Sequence, residues 1–145
     1  MQVQVIDVDV PLSAAYEVWT DFETFPAFLP GVESVSQLDA THAHWVVRIG
    51  GVARELETEV VEQHPHERVA WRSADGVTMR VLVTCRRLRD TRTRVSVCTI
   101  FRPDGASSPS VRLIDDLRPY QAFVLHRRAR DLQRVATADE EAAPF

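Results

Sequence analysis

Residues 111–136, VRLIDDLRPYQAFVLHRRARDLQRVA, decide how the rest of the chain can fold. Apolar residues recur there every three to four positions, at Leu113, Leu117, Tyr120, Val124 and, after a gap, Leu132. This spacing is typical of an amphipathic helix, whose other faces carry arginine and aspartate. Pro119 interrupts the pattern, so we expect a kink or a helix that starts nearer to residue 116. A single long helix with one apolar stripe needs a sheet to lie on.

The composition indicates one ordinary globular domain. The chain has 145 residues, of which 45% are hydrophobic and 26% charged, enough for a substantial core. All 17 basic residues are arginines, and 21 acidic residues bring the net charge to −4. Because no basic stripe is visible, we do not expect nucleic-acid binding. No apolar run approaches the length of a membrane span and no signal peptide is visible, so we expect a cytoplasmic protein without membrane insertion.

Upstream of the helix, the sequence predicts a strand, two short helices and six further strands. Residues 2–10 alternate around valine, and Ser13 and Asp21 are predicted to cap helices over 14–20 and 22–28. The later strands are predicted at 32–38, 42–49, 52–63, 68–72, 77–88 and 93–101. Gly50-Gly51 and Ala74-Asp75-Gly76 are typical hairpin turns. Since helices and strands do not alternate, the sheet should be antiparallel.

Alternation along these strands predicts which side chains face the helix. Three glutamates, Glu55, Glu57 and Glu59, can hardly form a buried face, so the opposite face of their strand points inward. The predicted inward residues are Ala43, Trp45, Val47, Ile49, Arg54, Leu56, Thr58, Val60, Val69, Trp71, Val77, Met79, Val81, Val83, Cys85, Val95, Val97, Thr99 and Phe101. Residues 1–136 are therefore interpreted as one domain, and the acidic, non-periodic segment 137–145 as a disordered tail.

Three segments in this order resemble the START-like superfamily, also called the Bet v 1-like, SRPBCC or helix-grip fold. They are IDVDVPLSAAYEVWTDFETFPAFLPGVESV at 6–35, ELETEVVEQHPHERVAWRS at 55–73 and VLVTCRRLRDTRTRVSV at 81–97. Within the superfamily the chain looks most like the polyketide cyclase/dehydrase and coenzyme Q-binding branch. The resemblance covers residues 3–135 and implies an α+β fold. Its seven-stranded antiparallel sheet would wrap around the long C-terminal helix, with two short helices after the first strand.

The same resemblance implies an apolar internal cavity that binds a hydrophobic small molecule. One function it implies is that of a polyketide cyclase or aromatase acting on a polyketide-type substrate. The alternative is a non-catalytic carrier or chaperone of a quinone, isoprenoid or fatty acyl lipid. The aromatase/cyclases use pocket arginine and tyrosine residues to orient their substrate, and Arg54 and Tyr120 would be the corresponding catalytic residues here. Whether the chain is an enzyme stays open at this point.

The residues themselves single out Arg54, because burying an unpaired guanidinium is costly. In a ligand cavity it would hold a carbonyl, enolate or carboxylate of the guest. At the end of the barrel it would instead reach solvent or a nearby carboxylate such as Asp21.

The other candidate ligand-binding residues lie on the inner strand faces or on the helix. They are Trp45, Leu56, Thr58, Trp71, Val83, Gln121 and Val124. Trp45 and Trp71 are either core residues or flat platforms for a ligand, and with Met79 and Phe101 they are large enough to fill a cavity.

No pattern indicates a metal, a cofactor or a covalent nucleophile. The histidine pairs His42/His44 and His64/His66 fall on loops or outward faces and lack a metal-ligand spacing. No Gly-x-Ser-x-Gly motif is present. Cys85 and Cys98 favour free thiols, with a disulfide between neighbouring strands as the alternative. We expect a monomer or homodimer whose partner is a hydrophobic small molecule.

Overall fold

The computed structural model describes residues 1–105 and 107–142, with the side chains of the last helix described as far as residue 136. Strand β1 (Gln2–Val8) is followed by helix α1 (Leu12–Thr20) and a 3₁₀ helix (Phe22–Ala27). The next strands are β2 (Val32–Gln37), β3 (His42–Ile49), β4 (Val52–His64), β5 (Arg68–Ser73), β6 (Met79–Arg89) and β7 (Arg92–Phe101). Helix α2 (Arg118–Ala142) closes the described part.

Within these residues the strands form one seven-stranded antiparallel sheet in the order β1-β7-β6-β5-β4-β3-β2. The predicted α+β, helix-grip architecture is confirmed. Among the described residues, no helix combines the length and hydropathy needed to cross a bilayer.

The strand faces follow the predicted alternation. Trp45, Val47, Val69, Trp71 and Val83 are all buried against the helices. Val77 departs from the prediction and is 38% exposed, because it lies in the turn before β6, which begins only at Met79. The inner face of β4 is buried at Thr58 but only half-buried at its two ends, so this strand opens toward solvent.

Strand β4 extends beyond its neighbour β5. Its pairing with β3 starts at Val52, whereas its pairing with β5 starts only at Thr58, opposite Ser73. Residues 52–57 therefore have a ladder partner on one side only among the described strands. This divergence leaves a gap in the sheet beside residues 52–57.

Helix α2 starts at Arg118, close to the predicted start near residue 116. Pro119 lies in its first turn, where the missing N–H has no intrahelical acceptor to lose. Leu113 and Leu117 precede the helix and are nevertheless buried, so the apolar stripe of the sequence continues through an irregular segment.

The predicted cap at Ser13 is wrong, whereas Asp21 lies at the predicted N-cap position of the 3₁₀ helix. Helix α1 begins two residues earlier than predicted, after Pro11, whose carbonyl oxygen accepts from the Ala15 N–H at 3.1 Å. Neither Pro11 nor Asp21 makes a side-chain capping bond among the described residues. Pro11 presets the φ of the N-cap position, and its ring offers no acceptor to the first N–H groups of the helix.

The backbone of α2 continues to Ala142 and so includes the first residues of the segment predicted to be disordered. Residues 143–145 lie outside the described residues. The boundary at residue 136 stays a prediction.

The backbone conformation of the turn between β3 and β4 can be tested by substitution at one position. Gly50 and Gly51 have φ values of +60° and +82°, as a type I′ hairpin requires. We expect Gly51→Ala to lower the free energy of unfolding by about 1 kcal/mol, because a Cβ is strained at this φ, and Gly51→Asn to lower it less. Urea denaturation followed by tryptophan fluorescence measures both losses, and equal losses would contradict this role of the turn.

Candidate functional site

Aromatic rings fill the space between the helices and the sheet. Trp45 on β3 and Trp71 on β5 are stacked, with their ring centroids 6.1 Å apart. Phe25 of the 3₁₀ helix lies against both rings, at 5.5 and 5.6 Å. Trp19 of α1 connects Phe25 to Tyr120 of α2. The predicted ligand-binding tryptophans therefore belong to a continuous cluster that links α2 to the sheet, and Val83 and Val124 are buried in the same core.

Tyr120 is fully buried, and its hydroxyl donates a hydrogen bond to the Ala15 carbonyl oxygen at 2.9 Å. Burial also raises the pKa of the Tyr120 phenol far above its ordinary value. A phenol in this state holds α2 against α1 and gives up its proton only at a high cost.

Thr58 and Gln121 are also bonded within the fold. The Trp45 indole Nε1–H donates to Thr58 Oγ1 at 2.7 Å, and both residues are buried. The Gln121 side-chain amide donates to the Asp7 carbonyl oxygen at 2.9 Å and so attaches α2 to the edge strand β1. Each of these groups has a protein partner in the position where the sequence suggested a ligand.

Arg54 lies at the gap beside β4, in a cleft of about 520 Å³. Its Nη1 donates to the Pro103 carbonyl oxygen and contacts Asp104 Oδ1, both at 3.1 Å. Asp21, the carboxylate suggested from the sequence, instead pairs with Arg127 at 3.2 Å. Arg54 thus links β4 to the segment after β7 while 36% of its side chain stays exposed.

The lining of this cleft is mixed. Besides Arg54, its polar residues are His44, Glu55, Glu57, Ser73, Asp75 and Thr78, and its apolar residues are Leu56, Ala74, Phe101 and Pro103. Its volume falls in the range of small-molecule sites. Leu56 is the predicted ligand-binding residue that the structure brings together with Arg54.

A carboxylate network holds the β5–β6 turn at the rim. Asp75 Oδ1 accepts from the Val77 and Thr78 N–H groups at 2.9 Å each and from the Ser73 hydroxyl at 2.6 Å. These hydrogen bonds hold the pKa of Asp75 well below its ordinary value. The rim of the cleft is therefore preorganised and negatively charged near Arg54.

The Cys85 thiol is not activated as a nucleophile. Burial raises the pKa of the Cys85 thiol to about 12, so it stays protonated. Cys85 and Cys98 are both free thiols in the described structure. Across residues 1–105 and 107–142, no group of three or more His, Cys, Asp or Glu side chains is arranged to hold a metal ion.

Sequence reasoning missed most of the cleft. Asp75 lies in the predicted turn 74–76, Thr78 lies on the polar face of the predicted strand 77–88, and Ser73, Pro103 and Asp104 lie between predicted elements. The sequence nevertheless contains one indication of the cleft. The predicted strand 52–63 is much longer than the predicted strand 68–72, so part of the longer strand must lack a partner on that side.

Comparison with known sequences finds a matching family model and a similar protein. Residues 8–116 match the family model for polyketide cyclase/dehydrase and lipid transport. Over 137 residues the chain is 39% identical to an uncharacterised 17.2 kDa protein of Streptomyces lincolnensis, covering 94% of this chain and 87% of that protein.

Solved structures share the fold. A START superfamily protein from Mycobacterium smegmatis is similar with a TM-score of 0.62 and 13% identity, over 97% of this chain and 96% of that one. The ZhuI aromatase/cyclase from Streptomyces sp. R1128 is similar with a TM-score of 0.59 and 19% identity, over 96% and 92%. The resemblance to START-like proteins is confirmed.

The structural role of the Tyr120 hydroxyl can be tested by removing it. We expect Tyr120→Phe to lower the free energy of unfolding by about 1 kcal/mol, because the buried Ala15 carbonyl loses its donor. Tyr16→Phe is the matched control, since the Tyr16 hydroxyl donates to the Arg68 carbonyl over a longer 3.3 Å, and it should cost less. Equal losses in urea denaturation would contradict the assignment.

Asp75 should make the stability of the protein depend on pH in acid. A carboxyl group whose pKa is lowered in the folded state stabilises it above the unfolded pKa of about 3.9, and this contribution is lost as the pH falls toward the folded pKa. Asp75→Asn should be less stable at neutral pH and lose less stability below about pH 4. Parallel slopes of unfolding free energy against pH in both proteins would exclude this contribution.

Proposed function

The chain belongs to the polyketide cyclase/dehydrase and lipid transport family, and we propose that it binds a hydrophobic small molecule bearing a carbonyl or carboxylate group. The observation that carries this proposal is the position of Arg54. Arg54 lines a cleft of about 520 Å³ together with polar residues and with the apolar Leu56 and Pro103. An apolar guest with one polar oxygen fits such a mixed lining.

The binding mode follows from the contacts of Arg54. Both described contacts, to Pro103 and Asp104, use Nη1, and a guanidinium has five N–H donors in a planar fork. A guest oxygen would accept from the remaining donors, or replace the exposed Asp104 carboxylate. The apolar body of the guest would lie against the half-buried Leu56 and Pro103.

The geometry supports a carrier better than a cyclase. Regiospecific cyclisation of a polyketide chain needs polar groups that converge on the reacting atoms. Tyr120, Thr58 and Gln121 are each bonded to protein groups away from Arg54. A non-catalytic carrier of an acyl, isoprenoid or quinone guest needs only an apolar surface and one orienting charge.

A cyclase remains the second candidate because the chain belongs to the polyketide cyclase/dehydrase family, although the hydroxyl groups of Ser73 and Thr78 in the Arg54 cleft both donate to Asp75. In that case the cleft would confine a flexible poly-β-ketone, and Arg54 would stabilise the charge of an enolate. With the Tyr120 hydroxyl committed to Ala15, water would move the protons.

The role of Arg54 can be measured with a fluorescent long-chain fatty acid. We expect Arg54→Ala to weaken binding about tenfold, because a charge-assisted hydrogen bond to the carboxylate is lost. Arg48→Ala is the matched control, since Arg48 pairs with Glu33 at 3.2 Å away from this cleft. Equal affinities in wild type, Arg54→Ala and Arg48→Ala would overturn the proposed site.

The same proteins distinguish the carrier from the cyclase. Native mass spectrometry before and after organic extraction should reveal a co-purifying guest that Arg54→Ala loses. In a second measurement, the same proteins are incubated with a linear poly-β-ketone mimic, which is then recovered and analysed. Recovery of the mimic unchanged in both mass and chromatographic retention supports a carrier, whereas an Arg54-dependent cyclised product, either isomeric with the mimic or lacking one water, supports a cyclase.

A further inference from the structure

The outer face of the sheet, which points away from the helices, carries a row of apolar side chains. The cross-strand partners along this row, from β1 to β5, are Val3, Cys98, Leu82 and Ala70. Met1 and Val5 on β1 and Ile100 on β7 lie two positions from the row, on the same face. Val61 precedes Glu62, the β4 partner of Ala70.

These eight apolar residues form a surface that we call the outer-face patch. The solvent-facing side of an antiparallel sheet is usually polar, because alternation sends the apolar side chains to the core. Elsewhere on this face the alternation holds, as Glu55, Glu57 and Glu59 show. A contiguous apolar patch on an otherwise polar face marks a surface that a partner covers.

The outer-face patch has raised margins and a recessed centre. Its margins are more than half exposed and consist of Met1, Val3, Val5 and Val61. Its centre is half-buried and consists of Ala70, Leu82, Cys98 and Ile100. The central residues, together with Met1 and Val61, line a hollow of about 380 Å³. Raised apolar side chains beside an apolar hollow form a surface that a second copy of itself can fit.

The charged residues that border the patch are largely paired with one another. The pairs are Arg68–Glu62, Arg72–Glu59 and Arg94–Asp7, with N–O distances of 2.6, 3.0 and 2.8 Å. Among the charged residues that line the hollow, Arg80 alone has no described carboxylate partner, and its Nε donates to the Gly76 carbonyl oxygen. One such charge is too little to draw an anionic membrane, and paired charges let two identical faces approach without strong repulsion.

The size of the patch suits a weak dimer. Neighbouring strands lie about 4.8 Å apart and residues rise about 3.3 Å along a strand, so the patch spans about 19 Å from β1 to β4 and about 13 Å along β1. One bordering row of polar residues on each side brings the footprint to about 500 Å². A stable interface buries about 800 Å² on each partner, and weak ones bury less than about 600 Å². Two copies should therefore associate reversibly, at micromolar concentrations.

We propose that the outer-face patch is the interface of a homodimer, in which two sheets pack face to face about 10 Å apart. The two-fold axis runs between β6 and β7, so that β1 of one copy faces β5 of the other. Val3 of each copy then sits in the hollow of its partner beside Ala70, as an isologous contact requires. The inference concerns the face of the sheet opposite to the helices and does not depend on the proposed ligand.

The mass of the protein should depend on its concentration. Sedimentation velocity between about 1 and 300 µM should show a rise from the 16.4 kDa of one copy toward twice that mass. Val3→Lys should weaken the dimer at least about tenfold, because each copy would bury an ammonium group in an apolar hollow. Val52→Lys is the matched control, since Val52 is 52% exposed against 55% for Val3 and lies outside the patch.

Two outcomes of this experiment would overturn the proposal. One is the mass of a single copy at every concentration. The other is equal weakening of the dimer by Val3→Lys and Val52→Lys. Both valines are exposed, so both variants should fold, which circular dichroism checks.

Cys98 reports which face is covered. Cys98 belongs to the patch, whereas Cys85 is buried and the pKa of its thiol is raised to about 12, so that it reacts slowly. With excess iodoacetamide, Cys98 should react about fivefold more slowly at about 300 µM protein than at about 1 µM. Val3→Lys should abolish this difference. An unchanged rate in a protein that does dimerise would place the contact on another surface and overturn the proposal.

A lipid surface is the other occupant that an exposed apolar patch can have. A protein that keeps the mass of one copy and co-sediments with phosphatidylglycerol vesicles would assign the patch to a membrane surface and overturn the dimer. The fatty-acid titration of Arg54 is read separately, because Arg54 does not belong to the patch.

Discussion

The fold depends on how far a curved sheet lies from the helix that it wraps. A sheet and a packed layer stand about 10 Å apart, and the aromatic rings of Trp19, Phe25, Trp45 and Trp71 span that distance in contact with one another. Aromatic residues have the largest apolar area to bury. Without them, the valine-rich strand faces would leave a void between β3, β5 and α2.

Burying these aromatic residues also requires hydrogen-bond partners for their polar groups. The indole and phenol groups that accompany large rings need partners when buried, and the Trp45 and Tyr120 groups find theirs in Thr58 and the Ala15 carbonyl. The interior side chains that the sequence suggested as catalytic or ligand-binding residues thus make hydrogen bonds within the fold instead. The charged candidate, Arg54, lies where the sheet is incomplete and solvent can reach it.

The sequence could predict the parts of this structure that depend on local periodicity. The inner faces of β3, β5 and β7 follow alternation, and Gly50-Gly51 has the backbone that its turn demands. The site depends instead on side chains that meet through tertiary structure. Nothing local distinguishes Asp104 from Asp21 as the partner of Arg54, because these residues lie 50 and 33 positions away from it along the chain. Similarly, the central position of Phe25 depends on how a short helix docks, which its own six residues do not encode.

The one-sided pairing of β4 has a mechanical consequence. In the strand ladders, residues 52–57 of β4 pair only with β3, Thr58 and Glu59 pair with both neighbours, and residues 60–64 pair only with β5, where a register shift between Val60 and Glu62 increases the local twist. The β2–β3 part of the sheet is thus joined to the β5–β6–β7–β1 part through one strand, whose doubly paired residues are Thr58 and Glu59. A load applied to either part of the sheet would pass to the other through this strand.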